Sequence, residues 1–183
     1  VDALYGKITS HIDGARESVQ KTVDVEMIKA YWLIGRDIIH EEQSGQLRAE
    51  YGKSILKHLS KKLQQRYKRG FSIQTLEKAR KFYYLYQQDT MNGKSPTASG
   101  ISEVPAALNL NLSWSHYVEL MTVKRDDVRD FYALEASKNK WTVRELRRQI
   151  DSFLYDRLAK SKDKDQVLQL ANKGQEINKP EDA

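Results

Sequence analysis

The stretch Lys53–Lys81, KSILKHLSKKLQQRYKRGFSIQTLEKARK, joins charge and helical periodicity more closely than any other part of the chain. Ile55, Leu56, Leu59, Leu63 and Tyr67 give one apolar face to a helix over residues 53–67, with lysines on its flanks and back. Lys68, Arg69 and Gly70 end that helix. Ser72 then offers an N-cap, and Phe71 and Leu76 occupy the two positions of a hydrophobic staple. A second helix over residues 73–87 turns Leu76, Ala79, Phe82, Tyr83 and Tyr86 inward. At 100° per residue its other side carries Gln74, Lys78 and Lys81. Ten basic side chains in this stretch stand against the single acid Glu77, a net of +9 in a chain whose total is +6, so everything outside it sums to −3. One basic segment on a mildly acidic body is the charge distribution of a nucleic-acid contact.

Two helices joined by a glycine-containing turn, the second with a polar and basic outer face, read as a helix-turn-helix arrangement. With Gly70 at the turn, the apolar sites that the compact form needs just before it fall on Gln65 and Arg69. A longer turn, or a helical hairpin of another kind, fits the residues equally well.

The rest of the chain reads as helix with one long interruption. Leu4, Ile8, Ile12, Ala15 and Val19 mark a first helix over residues 2–21, weakened by Gly6 and Gly14. Asp24 is read as the cap of a second helix, ending near residue 43, whose Met27, Ile28, Tyr31, Trp32, Gly35, Ile38 and Ile39 form a wide apolar stripe. Gly35 within that stripe admits another helix at close range. Residues 41–52 read as a connection. Residues 89–111 turn to Gly, Ser, Thr, Asn and Pro, a loop in which Ile101–Leu112 is the segment that would form a small wing. Ser113 caps a helix running to residue 123, and Asp126 and Asp127 open another to residue 137. Trp141, Thr142, Glu145 and Leu146 combine a capping box with a staple. The helix they start is expected to continue to residue 161 and to bury Val143, Leu146, Ile150, Phe153, Leu154 and Leu158.

The fold class expected is therefore all-α. A helical domain occupies residues 1–162, made of the hairpin 53–88, the loop 89–111 and a helical half 113–161, and residues 163–183 form a polar tail or linker. At 183 residues with 39% apolar and 31% charged side chains, the chain is sized for one core and lies on the polar side of globular composition. It has no cysteine, so disulfide and thiolate chemistry are excluded and a cytoplasmic setting is expected. No run of about 18 apolar residues is available to span a membrane, and no leader peptide is expected.

Catalytic chemistry is not assigned to this stretch of chain. His11, His40, His58 and His116 are scattered and make no HxxxH pair. There is no glycine-rich phosphate loop, no GxSxG elbow and no Asp or Glu two residues before a Lys, the pairing by which metal-dependent nucleases hold Mg²⁺ and orient water. No catalytic residue, cofactor site or metal site is expected in this stretch. Trp32, Trp114 and Trp141 sit beside caps or in apolar stripes and read as core, whereas Tyr84 lies off the apolar face of its helix and is the candidate for base stacking. Arg144 and Arg148, with Lys138 and Lys140 before them, make a second basic face that reads first as solvated.

Together YWLIGRDI at Tyr31–Ile38, AEYGKSILKHLSKKL at Ala49–Leu63, GFS at Gly70–Ser72, the trio Arg80, Phe82 and Tyr83, LSWSHY at Leu112–Tyr117, and WTVRELRRQI with LYDRL after it resemble the N-terminal domain of the YhcG family. The resemblance covers nearly the whole chain. It implies a helical, dimerising, DNA-binding module followed by a PD-(D/E)XK nuclease-type domain, to which a divalent metal and the catalytic residues would belong; no position here matches them. The loop 89–111 departs from the family pattern.

On this reading duplex DNA is the partner, and the chain is expected to form a homodimer or a higher homo-oligomer. Gln74, Lys78 and Lys81 are the groove-facing set, and Lys57, Lys61, Lys62, Lys68 and Arg69 contact the phosphate backbone. The rival reading is a protein interaction module, in which the stripe through Tyr31, Trp32 and Ile38 pairs two copies into a homodimer and the basic stretch takes an acidic regulatory protein. RNA is less favoured, since no aromatic strand pattern of the RNA-binding kind is present.

Overall fold

A computed structural model describes residues 2–44, 49–87 and 108–161. Two compact units are distinguished, Val1–Ser113 and Trp114–Ala183. Among the described residues there are seven helices and no strand, an all-α architecture. Of the expected wing, residues 101–107 lie outside the described residues and 108–112 form turns with no strand; the expected tail, 163–183, lies outside the described residues.

The first unit holds α1 (Asp2–Ser44), α2 (Ala49–Tyr67) and α3 (Ile73–Tyr86). α1 is a single helix of 43 residues, not two helices divided at Asp24. Neither glycine nor proline occurs between Ala15 and Ile34 to interrupt it. The Asp24 carboxylate does not cap; it accepts a hydrogen bond from Gln20 Nε2 one turn earlier, at 3.3 Å. Only the C-terminal part of α1 enters the core. Ile28, Tyr31, Trp32, Ile38 and Ile39 are buried, while Leu4, Tyr5, Ile8, Ile12, Ala15, Val19 and Val23 are all exposed.

α3 packs chiefly on α1, burying Leu76, Ala79, Phe82 and Tyr86. Closing the Phe82 and Leu76 side chains off from water contributes about 1.5–3 kcal/mol each. The two helices approach so closely at Gly35 that a Cβ there would stand 2.1 Å from the Ala79 carbonyl oxygen and 2.8 Å from Tyr83 Cβ. Trp32 meets Phe82 edge to face at 5.9 Å and lies against Tyr83 at 4.6 Å. The stripe through Tyr31, Trp32 and Ile38 is therefore spent within the chain and is not open to pair two copies. α2 joins through Leu56, which clusters with Ile38 and Leu76, and Ile34, Leu59, Leu63 and Phe71 close around the three.

The second unit holds α4 (Trp114–Leu120), α5 (Asp126–Lys138), α6 (Val143–Asp151) and α7 (Leu154–Lys160). The capping box at Thr142 and Glu145 forms as read, with Trp141 and Leu146 both buried. His116 is structural, its Nε2 at 2.8 Å from the Trp141 carbonyl oxygen. The helix expected over 142–161 is broken into α6 and α7 at Phe153, which is left-handed (φ 53°) and 67% exposed, not buried. A buried side chain from another helix causes the break. The Tyr132 hydroxyl donates to the Gln149 carbonyl (3.1 Å) and accepts from the Tyr155 N–H (3.2 Å), so both backbone groups stay paired although the helical ladder does not run through. Burial raises the pKa of this hydroxyl.

Candidate nucleic-acid interface

α2 is held by its apolar face, and so the positions one turn apart on its other side are fixed in a row. Lys57 and Lys61 stand four residues apart there, and Lys68 follows in the turn. The turn occupies residues 68–72. It reverses the chain through two left-handed residues, Lys68 (φ 65°) and Gly70 (φ 98°). Its interior is tied to α2 by two polar side chains. Ser60, buried, donates to the Phe71 carbonyl oxygen at 2.8 Å, and Gln64 Nε2 reaches both Ser60 Oγ (3.0 Å) and the same carbonyl (3.3 Å). Phe71 then packs inward, and Ser72 caps α3 by accepting from the Thr75 N–H at 3.2 Å.

This arrangement opens a groove of about 780 Å³ between α2 and the start of α3. Among the described residues Lys57, Lys61 and Lys68 line it together with Gln74, Gln64 and Gln65, and no carboxylate does. Three lysines and several amides around one open concavity, with no carboxylate among the described residues that line it, can bind a row of phosphates.

The other sequence-predicted residues lie elsewhere. Lys62 lines a different groove of about 620 Å³ between α1 and α2, largely apolar, beside Asp37 and Glu41. Lys81 lines a recess with Glu42, Glu77, Arg80 and Tyr84, where Arg80 and Glu42 form an ion pair at 2.7 Å. Lys78 and Arg69 are exposed and line none of these three concavities. Tyr84 is 57% exposed. Of the eight residues, four thus converge, and Gln74, Lys78 and Lys81 share one side of α3 without sharing one groove.

Ser60 and Gln64 were not legible as site residues. A serine and a glutamine inside an amphipathic helix carry no signal of their own, and their role exists only through the distant Phe71 carbonyl. In the second unit Arg144 and Arg148 are exposed, and Arg147 between them is paired with Glu119, its Nε 3.0 Å from the carboxylate. That hydrogen bond raises the pKa of Arg147. Among the described residues no three His, Cys, Asp or Glu side chains are grouped to hold a metal ion, and no helix is long and apolar enough to cross a membrane.

The family of the DUF1016 N-terminal domain matches the chain over residues 7–157. A protein of Escherichia coli (strain K12) named "Putative nuclease YhcG" is 39% identical over 183 aligned residues, which cover 91% of this chain and 48% of that protein. The chain thus spans about half the length of the curated relative that it matches. No solved structure matches.

Proposed function

Because the chain belongs to the family of the DUF1016 N-terminal domain, which it shares with a relative named as a nuclease, we propose that it is a non-catalytic, self-associating module that positions a nuclease domain on duplex DNA. The observation that supports this reading is the groove in which Lys57, Lys61, Lys68 and Gln74 converge, with no acid among the described residues that line it. In it the lysines neutralise phosphates, and the Gln74 amide, at the first turn of α3, suits an adenine edge. Lys78 extends the row along α3. Lys62, Arg69 and Lys81 add to the long-range field that draws DNA in, the first and last of them weakened by the acids beside them. Most of the affinity is electrostatic on this reading. About four phosphate contacts give a log–log salt slope near −4.

Sedimentation velocity with a duplex, a single strand of the same sequence and an acidic protein separates this from the rival module. A complex with duplex that dissolves as salt rises is expected. A boundary that shifts only with the acidic protein would overturn the proposal.

A further inference from the structure

We infer that the N-terminal half of α1 is the surface on which two copies of this chain pair, antiparallel, about a two-fold axis beside Ala15 and Arg16. The inference supplies a surface for the self-association in the reading above and does not depend on the DNA contact.

From Leu4 to Val23 α1 has an apolar row that no neighbour among the described residues of its unit buries, and an unsupported helix of that length is marginal in water. Leu4, Ile8, Ile12, Val19, Val23 and Met27 are between 40% and 64% exposed. At 100° per residue these six, with Ala15, fall on one side of the helix about 140° wide. Their spacings are 4, 4, 7, 4 and 4, which read the same from either end. A row with that property is complementary to its own reversal. Turning a second helix end for end sets Leu4 against Met27, Ile8 against Val23 and Ile12 against Val19, each pair made twice, as a two-fold axis requires.

The small Ala15 stands at the axis. Arg16 lies on one flank of the row, and in an antiparallel pair equal flanks meet, so the two Arg16 side chains approach across the axis, each with its own Asp13 one turn earlier on the same flank. Residues 4–27 carry Lys7, Arg16 and Lys21 against Asp13, Glu17, Asp24 and Glu26, a net of −1 that neither repels a copy nor recruits a charged stranger. With Tyr5, which is 69% exposed on the edge of the row, the side chains offer on the order of 700 Å² per copy, close to the ~800 Å² per partner of a stable interface.

The chain has no cysteine, which makes the test direct. Leu4→Cys and Met27→Cys chains are prepared separately, oxidised alone and as a mixture, and resolved without reductant. Antiparallel pairing gives a crosslinked species of two chains only in the mixture, because like thiols stand about 35 Å apart. A crosslink by Leu4→Cys alone, or none in the mixture, would overturn the inference. In parallel, sedimentation equilibrium of the 183-residue chain is expected to give twice the chain mass, and Ile12→Glu with Val19→Glu the chain mass, with a loss of helical circular dichroism no larger than the N-terminal half of α1 supplies. A wild-type monomer, or a dimer that survives both substitutions, contradicts it. Lys61→Gln is expected to leave the mass unchanged, so failure of the DNA reading and failure of the pairing are seen in different measurements.

Discussion

The carbonyl oxygen of Ala79 lies 2.1 Å from the point where a Cβ on Gly35 would stand. No rotamer change relieves such a clash, because the obstructing atom is backbone; α3 would have to move off α1. Gly35→Ala is expected to destabilise the fold by about 3 kcal/mol, seen as a lower urea midpoint at an unchanged slope. Gly6, with nothing within 4 Å of its added Cβ, is the control. There the same substitution should stabilise by roughly 0.5–1 kcal/mol.

Tyr132 makes a second prediction. Its hydroxyl is the shared partner of the Gln149 carbonyl and the Tyr155 N–H. Tyr132→Phe leaves these backbone groups without it and should lower stability by about 1–3 kcal/mol. Tyr155→Phe removes one exposed hydrogen bond to Asp127 and should change stability by less than about 0.5 kcal/mol. Thermal melts of both variants check the difference.

Asp127 at the start of α5 is hydrogen-bonded by Arg125, which holds its carboxyl below the ordinary aspartate range, and the Tyr155 hydroxyl adds to the effect. A depressed carboxyl stabilises the fold above its unfolded pKa, and the contribution is lost as pH falls through the folded value. The group is fully exposed, so the effect is small and is best read at the residue. In an NMR titration the Asp127 midpoint should rise toward that of an ordinary aspartate in Arg125→Gln; an unmoved midpoint would remove Arg125 as the cause.

Ser60 connects stability to the site. Ser60→Ala takes the stronger of two side-chain donors from the Phe71 carbonyl and should cost about 1 kcal/mol. Because that carbonyl fixes the turn under the groove, duplex affinity should fall although every groove lysine is present. Equal affinity at reduced stability would separate the turn from the binding surface.

What the sequence discloses here is what depends on near neighbours. The Ser72 cap and the Thr142–Glu145 box are set within four residues, and Gly35 stands out because a glycine amid large apolar side chains needs a reason. What it conceals is what depends on distant ones. The row from Leu4 to Met27 looks like core because periodicity does not say which neighbour covers a face. The break at Phe153 is made by a hydroxyl from α5, so residues 142–161 alone read as one helix. The lysines show the same limit: spacing puts Lys57 and Lys61 in a row, but only the packing of α2 on Ile38 and Leu76 sends Lys62 to one groove and Lys61 to another.

The salt dependence of duplex binding tests the central claim most directly. The wild-type chain should show a log–log slope near −4, and Lys57→Gln, Lys61→Gln and Lys68→Gln combined should flatten it to about −1, one unit for each lysine. Lys62→Gln with Lys81→Gln should change it by less than about 1, since acids already flank both. Binding indifferent to salt, or a slope that the triple substitution leaves at its wild-type value, would contradict the assignment of the groove.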